Sequence, residues 1–378
     1  MSEGNLEPSN ANGMADFARA AKPPRHTHHR PLPPANELIT DMKYRHLNQA
    51  EDTSRDISCI GFGAMGISEF YGPSEESLAR EAIQTAIAHG INHFDTADGY
   101  GYGDNERFLG STLALADKTK RQSVIVASKA GILRDRRDPS VRGISIEPAY
   151  LEGKLRESLA NLGTDYLDIF YIHRLPPHAT SEQLQTLARF LNEVIESGHA
   201  RSIGLSEPRL DQLSLIHAVC PVHYVQSEYS VIERGVERAG VLDFCRSNAI
   251  GFVAYSPLCR GLLTDSFDVS KLANGDFRTT LPRFAGENLE HNLSMIADLK
   301  AIAASLKTSL AALSVSWLLH QNVLVIPGMR RVERVTDAVK ALDLPLSAEK
   351  LAEIDEVLKR EVKGTRYAPA AMQAYGFE

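Results

Sequence analysis

The segment Leu78-Ala-Arg-Glu-Ala-Ile-Gln-Thr-Ala-Ile-Ala-His-Gly-Ile-Asn-His-Phe-Asp95 joins a helical pattern to a short apolar run. Pro73 and Ser74, with two glutamates directly after them, predict where the helix begins, and Gly90 predicts where it ends. The run over 91–95 is too short for a helix and is typical of a buried parallel strand. Within the helix, five apolar residues recur on one face: Leu78, Ala82, Ile83, Ala86 and Ile87.

The same unit recurs along the whole body of the chain. Short apolar runs predict eight strands, at residues 57–62, 91–95, 123–128, 166–172, 202–205, 222–226, 250–255 and 323–326. Helical patterns lie between and after them, at residues 75–90, 148–162, 181–196, 209–218, 238–248, 291–320 (as two helices), 331–342 and 348–359.

Eight strand–helix units without a break in composition predict an α/β fold, a (β/α)8 TIM barrel with an extra C-terminal helix. A doubly wound parallel sheet is the alternative. Gly61-Phe-Gly-Ala-Met-Gly66 superficially matches the G-x-G-x-x-G turn of such sheets, but residues 67–73 do not begin a helix. We therefore expect a barrel over residues 43–378.

Residues 1–42 differ in composition from this body. They contain six prolines and few apolar residues, and they lack the apolar core of a secretory signal. This composition predicts a disordered, flexible N-terminal extension. The histidines at positions 26, 28 and 29 could bind a metal, but without a fold to fix their geometry a solvated tail is the preferred interpretation, and we expect no metal site.

The composition narrows the function classes. A chain of 378 residues with 24% charged and 43% hydrophobic residues is typical of a soluble globular enzyme. The net charge of −7 argues against a nucleic-acid partner, and no apolar run is long enough to predict a membrane span. Four cysteines without C-x-x-C spacing argue against zinc and suit a reducing compartment, so we expect a cytoplasmic location.

Titratable side chains follow three consecutive predicted strands, where a barrel places its active site. The second strand ends in Asp95, with Tyr100 five residues later; the third ends in Lys129 and the fourth in His173. We expect the lysine cation, paired with Asp95, to lower the pKa of Tyr100. His173 would hydrogen-bond a substrate oxygen. The set has no nucleophile but can protonate an oxyanion, which favours carbonyl reduction by a hydride from a bound cofactor.

Several motifs together resemble those of a known family. Residues 90–101, with Asn105-Glu106 and Leu109-Gly110 after them, resemble the N-terminal signature of the aldo-keto reductases. Ser128-Lys129 and Tyr171-Ile-His173 are similar to the lysine and histidine motifs of that family. The resemblance implies a nicotinamide cofactor bound without a Rossmann fold, and Tyr100 as general acid in reduction. The implied catalytic tetrad is Asp95, Tyr100, Lys129 and His173.

The resemblance also implies cofactor contacts. Ser206 and Gln226 match residues that bind the carboxamide, Glu207 stands where many members have Asn, and Tyr255 matches the aromatic residue that stacks on nicotinamide. Arginines at the adenosine end favour NADPH/NADP+, with NADH as the alternative. Met329 replaces the usual small hydroxyl residue there. The remaining implied contacts are Ser256, Leu258, Arg260, Gly328, Arg330, Arg334 and Asp337.

Two functions follow from these observations. The first is NADPH-dependent reduction of aldehydes or ketones to alcohols, or the reverse oxidation, with a small-molecule carbonyl or alcohol as the partner. The alternative is a cofactor-binding regulatory subunit resembling potassium-channel β subunits, which also carry an N-terminal extension. The sequence leaves the substrate, the direction and the oligomeric state open. Four aromatic residues could line an apolar substrate pocket or equally pack on the barrel rim: Phe70, Tyr71, Phe284 and Tyr375.

Overall fold

The computed structural model describes residues 44–46, 56–69, 75–138, 140–272 and 276–375. The expected extension over 1–42 and the two aromatic residues at 70 and 71 lie outside these described residues. The boundary at residue 43 therefore stays a prediction.

Eight parallel strands form one sheet in which each strand pairs with its neighbour in chain order. They are β1 (Phe62–Gly63), β2 (His93–Asp95), β3 (Ile125–Ala130), β4 (Ile169–Ile172), β5 (Ile203–Ser206), β6 (Tyr224–Glu228), β7 (Gly251–Tyr255) and β8 (Leu324–Ile326).

The sheet closes on itself between its first and last strands. The amide of Gly61 donates to the carbonyl of Val325 at 2.8 Å, and the amide of Gly63 donates to that of Pro327 at 3.0 Å. Parallel bridges join the same two segments. The predicted barrel is confirmed, and the doubly wound alternative is wrong because such a sheet has two open edges.

Helices connect and flank the strands. They span Met65–Ser68, Glu76–Ala88, Asp104–Leu113, Lys118–Ser123, Pro148–Leu162, Ser181–Glu196, Leu210–His217, Gly235–Arg238, Val241–Ser247, Gly286–Ser305, Leu310–His320, Val332–Val339, Ala348–Leu358 and Pro369–Tyr375. Two antiparallel strand pairs complete the described fold: Tyr44–His46 pairs with Asp56–Ser58, and Ile132–Arg134 forms a hairpin with Arg142–Ile144. Short 3-10 turns include Tyr100–Gly103, Cys259–Gly261, Val269–Lys271, Phe277–Thr280, Pro282–Phe284 and Lys340–Asp343.

The predicted helices are confirmed apart from details at their ends and faces. Gly163, at which the helix Pro148–Leu162 ends, has a φ of +67°, which glycine adopts without strain. Ile87 was expected on the buried face of Glu76–Ala88 but is 44% exposed, whereas Ala79 is fully buried. The inward face is therefore narrower than the apolar pattern suggested.

The barrel interior is packed by pairing large side chains with glycines on neighbouring strands. Gly204 of β5 lies opposite Tyr171 of β4, and Gly251 of β7 lies opposite Tyr224 of β6. A Cβ atom at Gly204 would lie 2.2 Å from the Tyr171 ring. Glycine is needed at these two positions because any larger side chain would overlap the neighbouring tyrosine ring, not because the backbone conformation demands it.

Among the described residues, no single helix combines the length and apolar composition of a bilayer span. Gly286–Ser305 and Leu310–His320 reach that composition only together, and they meet at a bend of 87°. The second of these helices is buried and contains Trp317 at 1% exposure.

Replacing Gly204 by Ala should destabilise the barrel by about 1–3 kcal/mol, because the new methyl group overlaps the Tyr171 ring. The matched control is Gly153→Ala, in the helix Pro148–Leu162, where a Cβ meets nothing within 4 Å. That change should stabilise the protein by roughly 1 kcal/mol through helix propensity. Urea unfolding of both variants tests this, and a G204A variant as stable as G153A would contradict it.

Candidate active site

A cavity of about 690 Å³ opens at the carboxyl ends of the barrel strands. Its wall includes Asp95 at the end of β2, His173 after β4, Ser206 at the end of β5 and Gly328 after β8. In barrel enzymes this mouth is where substrates bind, because loops from all eight strands converge on it.

A buried ion pair lies at the base of this cavity. Lys129 of β3 is 1% exposed, and its ammonium contacts the Asp95 carboxylate and donates to the carbonyl of Thr96 at 2.7 Å. The other Asp95 oxygen accepts a hydrogen bond from Gln226 Nε2 at 2.8 Å. Burial lowers the pKa of Lys129, and the Asp95 carboxylate opposes that shift. A lysine ammonium that is buried away from water needs a negatively charged partner such as Asp95 to remain charged.

Tyr100 lies beside this pair, at the start of the 3-10 turn that follows β2. The Lys129 ammonium is 5.2 Å from the centre of its ring. Burial, with the Asp95 charge, raises the pKa of Tyr100 well above its ordinary value. The sequence-based expectation of a lowered pKa is therefore wrong for this structure. Tyr100 keeps its proton at neutral pH, which suits a proton donor.

His173 faces Tyr100 across the cavity. The two ring centres are 5.8 Å apart in an edge-to-face arrangement. Burial, with the charges of Lys129 and Arg174, lowers the pKa of His173 well below 6.5. The imidazole is consequently neutral and can hydrogen-bond a substrate oxygen without bringing a second cation into the site.

Nine of the eleven residues predicted to hold a cofactor lie on the wall of this one cavity. They are Ser206, Gln226, Tyr255, Ser256, Leu258, Arg260, Gly328, Arg330 and Arg334. Asp337 instead borders a small adjoining cavity of about 10 Å³ and accepts a hydrogen bond from Ser309 Oγ at 2.8 Å.

Glu207 does not line the cavity. Its carboxylate lies behind the wall, where it accepts two hydrogen bonds from the Arg366 guanidinium at 2.9 and 3.1 Å. It also accepts one from the Glu228 amide at 2.8 Å. The backbone at Glu207 has a φ of +52°, in the left-handed region that Asn tolerates better than Glu.

Arg174 is a wall residue that the sequence interpretation missed. Its guanidinium donates to Ser206 Oγ at 2.8 Å and to the His173 carbonyl at 2.9 Å, and it lies 3.5 Å from the Tyr255 hydroxyl. Arg174 therefore connects the predicted tetrad to the predicted cofactor wall. The sequence did contain a signal for this role, because Arg174 is a charged residue that directly follows His173 after the end of β4.

The hairpin Ile132–Arg134 with Arg142–Ile144 contributes residues to the wall of the cavity. Arg134 of this hairpin donates to Glu69 at 2.9 Å and to the Gly99 carbonyl at 2.7 Å. Of the two placements left open for these aromatic residues, Tyr375 lines the cavity, whereas Phe284 packs against Phe267 in the core.

Among the described residues, no group of three His, Cys, Asp or Glu side chains is arranged to hold a metal ion. His93, which lies in β2, is fully buried, and burial lowers its pKa to about 4. It packs against Gly61, so its role is in the core.

Comparison with known proteins identifies the family. The model of the Aldo/keto reductase family matches residues 59–359. The chain belongs to this family. The family expected from the motifs is thus confirmed.

Relatives support the same assignment. An aldo-keto reductase named yakc [NADP(+)] from Schizosaccharomyces pombe is 35% identical over 323 residues, which are 83% of this chain and 93% of the relative. The glycerol dehydrogenase AKR11B4 from Gluconobacter oxydans has the same fold, with a TM-score of 0.76 and 24% identity over 87% of this chain and 98% of that one.

An aldo/keto reductase from Klebsiella pneumoniae, solved with NADP and acetate, superposes with a TM-score of 0.61. It is 21% identical over 83% of this chain and 96% of its own. The name of the Schizosaccharomyces pombe relative and the contents of the Klebsiella pneumoniae structure both include NADP, the cofactor expected here from the sequence.

Asp98, two residues before Tyr100, carries a buried carboxyl group. It is 9% exposed, and its Oδ1 makes no hydrogen bond to the described residues. Burial, with the nearby Glu106 carboxyl, raises the pKa of Asp98 to about 7. Because the pKa of Asp98 is about 7 in the folded protein and 3.8 by default in the unfolded chain, the folded protein loses stability as the pH rises from one value to the other.

An Asp98→Asn variant should therefore be more stable than the wild type at pH 8, and this advantage should shrink as the pH falls toward 4. The amide has the same shape and cannot ionise, so only the ionisation cost is removed. Thermal melting of both proteins between pH 4 and 8 measures the difference. A constant difference across the range would contradict the assigned pKa.

Proposed function

We propose that this protein is an NADP-dependent oxidoreductase that reduces an aldehyde or ketone to an alcohol, or catalyses the reverse oxidation. The observation that carries the proposal is the grouping of a buried Lys129–Asp95 pair, protonated Tyr100 and neutral His173 at one cavity. Membership of the aldo/keto reductase family and the NADP-linked names of its relatives support it.

The cavity suits an extended dinucleotide. It runs from Tyr100 past Tyr255 to the arginines at positions 330 and 334. Tyr255 offers an aromatic face at the catalytic end, and the guanidinium groups offer bidentate donors to phosphate at the other. Met329 is 1% exposed and has no hydroxyl, so preference for a 2′-phosphate would rest on Arg330 and Arg334.

When bound, the reduced nicotinamide supplies the hydride that the side chains cannot provide. Tyr100 Oη donates its proton to the carbonyl oxygen as negative charge develops there. The Lys129 ammonium stabilises the phenolate that remains, and Asp95 keeps that ammonium charged despite its burial. His173 orients the carbonyl oxygen through a hydrogen bond. In alcohol oxidation the same proton returns to Tyr100.

The regulatory-subunit alternative is not favoured. The relative from Schizosaccharomyces pombe is named as a reductase, and this chain retains all four side chains of an acid–base site. The expected cytoplasmic location stays a prediction.

Tyr100→Phe removes the proton donor but keeps the ring, so turnover of a small aldehyde should fall by about 10²–10⁴-fold while NADPH binding is retained. NADPH oxidation at 340 nm measures turnover, and fluorescence quenching measures binding. The control is Tyr102→Phe, in the same turn but outside the cavity wall, which should keep its activity. Normal turnover by Y100F would refute the mechanism.

A further inference from the structure

A C-terminal strap, residues 364–375, crosses the mouth of the cavity. Tyr367, Ala371 and Tyr375 of the strap form part of the cavity wall. Its start is anchored by Arg283 Nε, which donates to the Gly364 carbonyl at 3.0 Å. The strap therefore belongs to the same wall as the predicted cofactor residues.

Two carboxylates lie buried beneath the strap. Glu207 at the end of β5 and Glu228 at the end of β6 are connected, since the Glu228 amide donates to Glu207 Oε1 at 2.8 Å. Arg366 of the strap forms a bidentate pair with Glu207 and lies 3.8 Å from Glu228 Oε2. Burial alone would raise the pKa of Glu207, but the Arg366 and Arg174 charges outweigh it and hold that pKa below its ordinary value.

The same carboxylates reach the predicted cofactor residues. Arg260, on the loop after β7, pairs with Glu228 Oε2 at 3.3 Å. Arg260 and Arg366 therefore share one counterion. Arg260 already lies nearer to Glu228 than Arg366 does, at 3.3 Å against 3.8 Å. Removing Arg366 would leave the Glu228 charge less neutralised, so Glu228 would attract Arg260 more strongly and draw it away from the cavity.

A third contact joins the strap to the aromatic end of the site. The Tyr367 hydroxyl lies 3.3 Å from the Tyr255 hydroxyl. The Arg260 guanidinium also lies 5.0 Å from the centre of the Tyr367 ring. Through Arg366 and Tyr367, the strap thus contacts Glu207, Tyr255 and Arg260, all of which were predicted cofactor positions.

We propose that Arg366 is a positioning residue for the cofactor. Its ion pair with Glu207 docks the strap on the ends of β5 and β6, and the docked strap sets Tyr255 and Arg260 for binding the nicotinamide half of NADP(H). This inference rests on the proposed function. Because coupling between two sites is reciprocal, bound cofactor must also stabilise the docked strap.

The test uses Arg366→Gln, with Arg366→Lys as the charge-conserving variant. The control is Arg360→Gln, which removes an ion pair with Asp298 at the surface. The dissociation constant of NADPH is measured by quenching of protein fluorescence. R366Q should bind NADPH at least about tenfold more weakly, R366K should fall between it and the wild type, and R360Q should match the wild type.

Hydrogen exchange of the strap amides, with and without NADP+, provides a second readout that a purely structural arginine would not affect. NADP+ should slow exchange in residues 364–375 of the wild type, and this protection should be lost in R366Q. If R366Q does not fold, the inference is tested by the NADPH affinity of R366K and by the effect of NADP+ on hydrogen exchange in the wild-type strap.

Folded R366Q that binds NADPH as tightly as R360Q would overturn this inference alone. Unchanged strap exchange in wild-type protein saturated with NADP+ would do the same. A wild-type protein that binds no NADPH would overturn the proposed function and, with it, the role assigned to Arg366.

Discussion

The buried pair of Asp95 and Lys129 is the interaction on which the site depends. It joins β2 to β3, and the hydrogen bond from Gln226 extends it across the barrel to β6. A buried ion pair seldom adds net stability, since desolvation offsets the attraction. Its value here is positional, because it places a cation 5.2 Å from the Tyr100 ring while leaving the site close to neutral.

Charge is balanced in two layers around the cavity. The inner layer consists of the Asp95–Lys129 ion pair, whose two charges cancel, and of Tyr100 and His173, which are both uncharged. The outer layer contains Glu207 and Glu228, with Arg366 and Arg260 as their counterions. Arg174 connects the layers through Ser206 Oγ and the His173 carbonyl. A change in the outer layer can therefore reach the catalytic end.

The barrel, and the grouping of Asp95, Tyr100, Lys129 and His173 at one end of it, could be predicted because their signals are local: short apolar runs, helical periods and polar residues at strand ends. The helix Asp104–Leu113 was not predicted because its buried face includes the polar residues Asn105 and Glu106. Both are buried through hydrogen bonds, so the face lacks the apolar periodicity by which a buried helix is recognised. The Glu207–Arg366 pair joins residues 159 positions apart, which no local pattern reveals. The raised pKa of Tyr100 could not be predicted either, because it depends on how deeply the side chain is buried, and a position near a strand end does not reveal that depth.

The central claim is that this cavity passes a hydride between a nicotinamide and a carbonyl carbon. The most direct measurement uses NADPH that carries deuterium at both hydrogen positions of nicotinamide C4, with a panel of small aldehydes and ketones and NMR analysis of the alcohols. The account predicts one deuterium on the carbinol carbon, with the hydroxyl proton coming from Tyr100. Bound NADPH that transfers no deuterium to any carbonyl, or alcohol formed without the label, would contradict it.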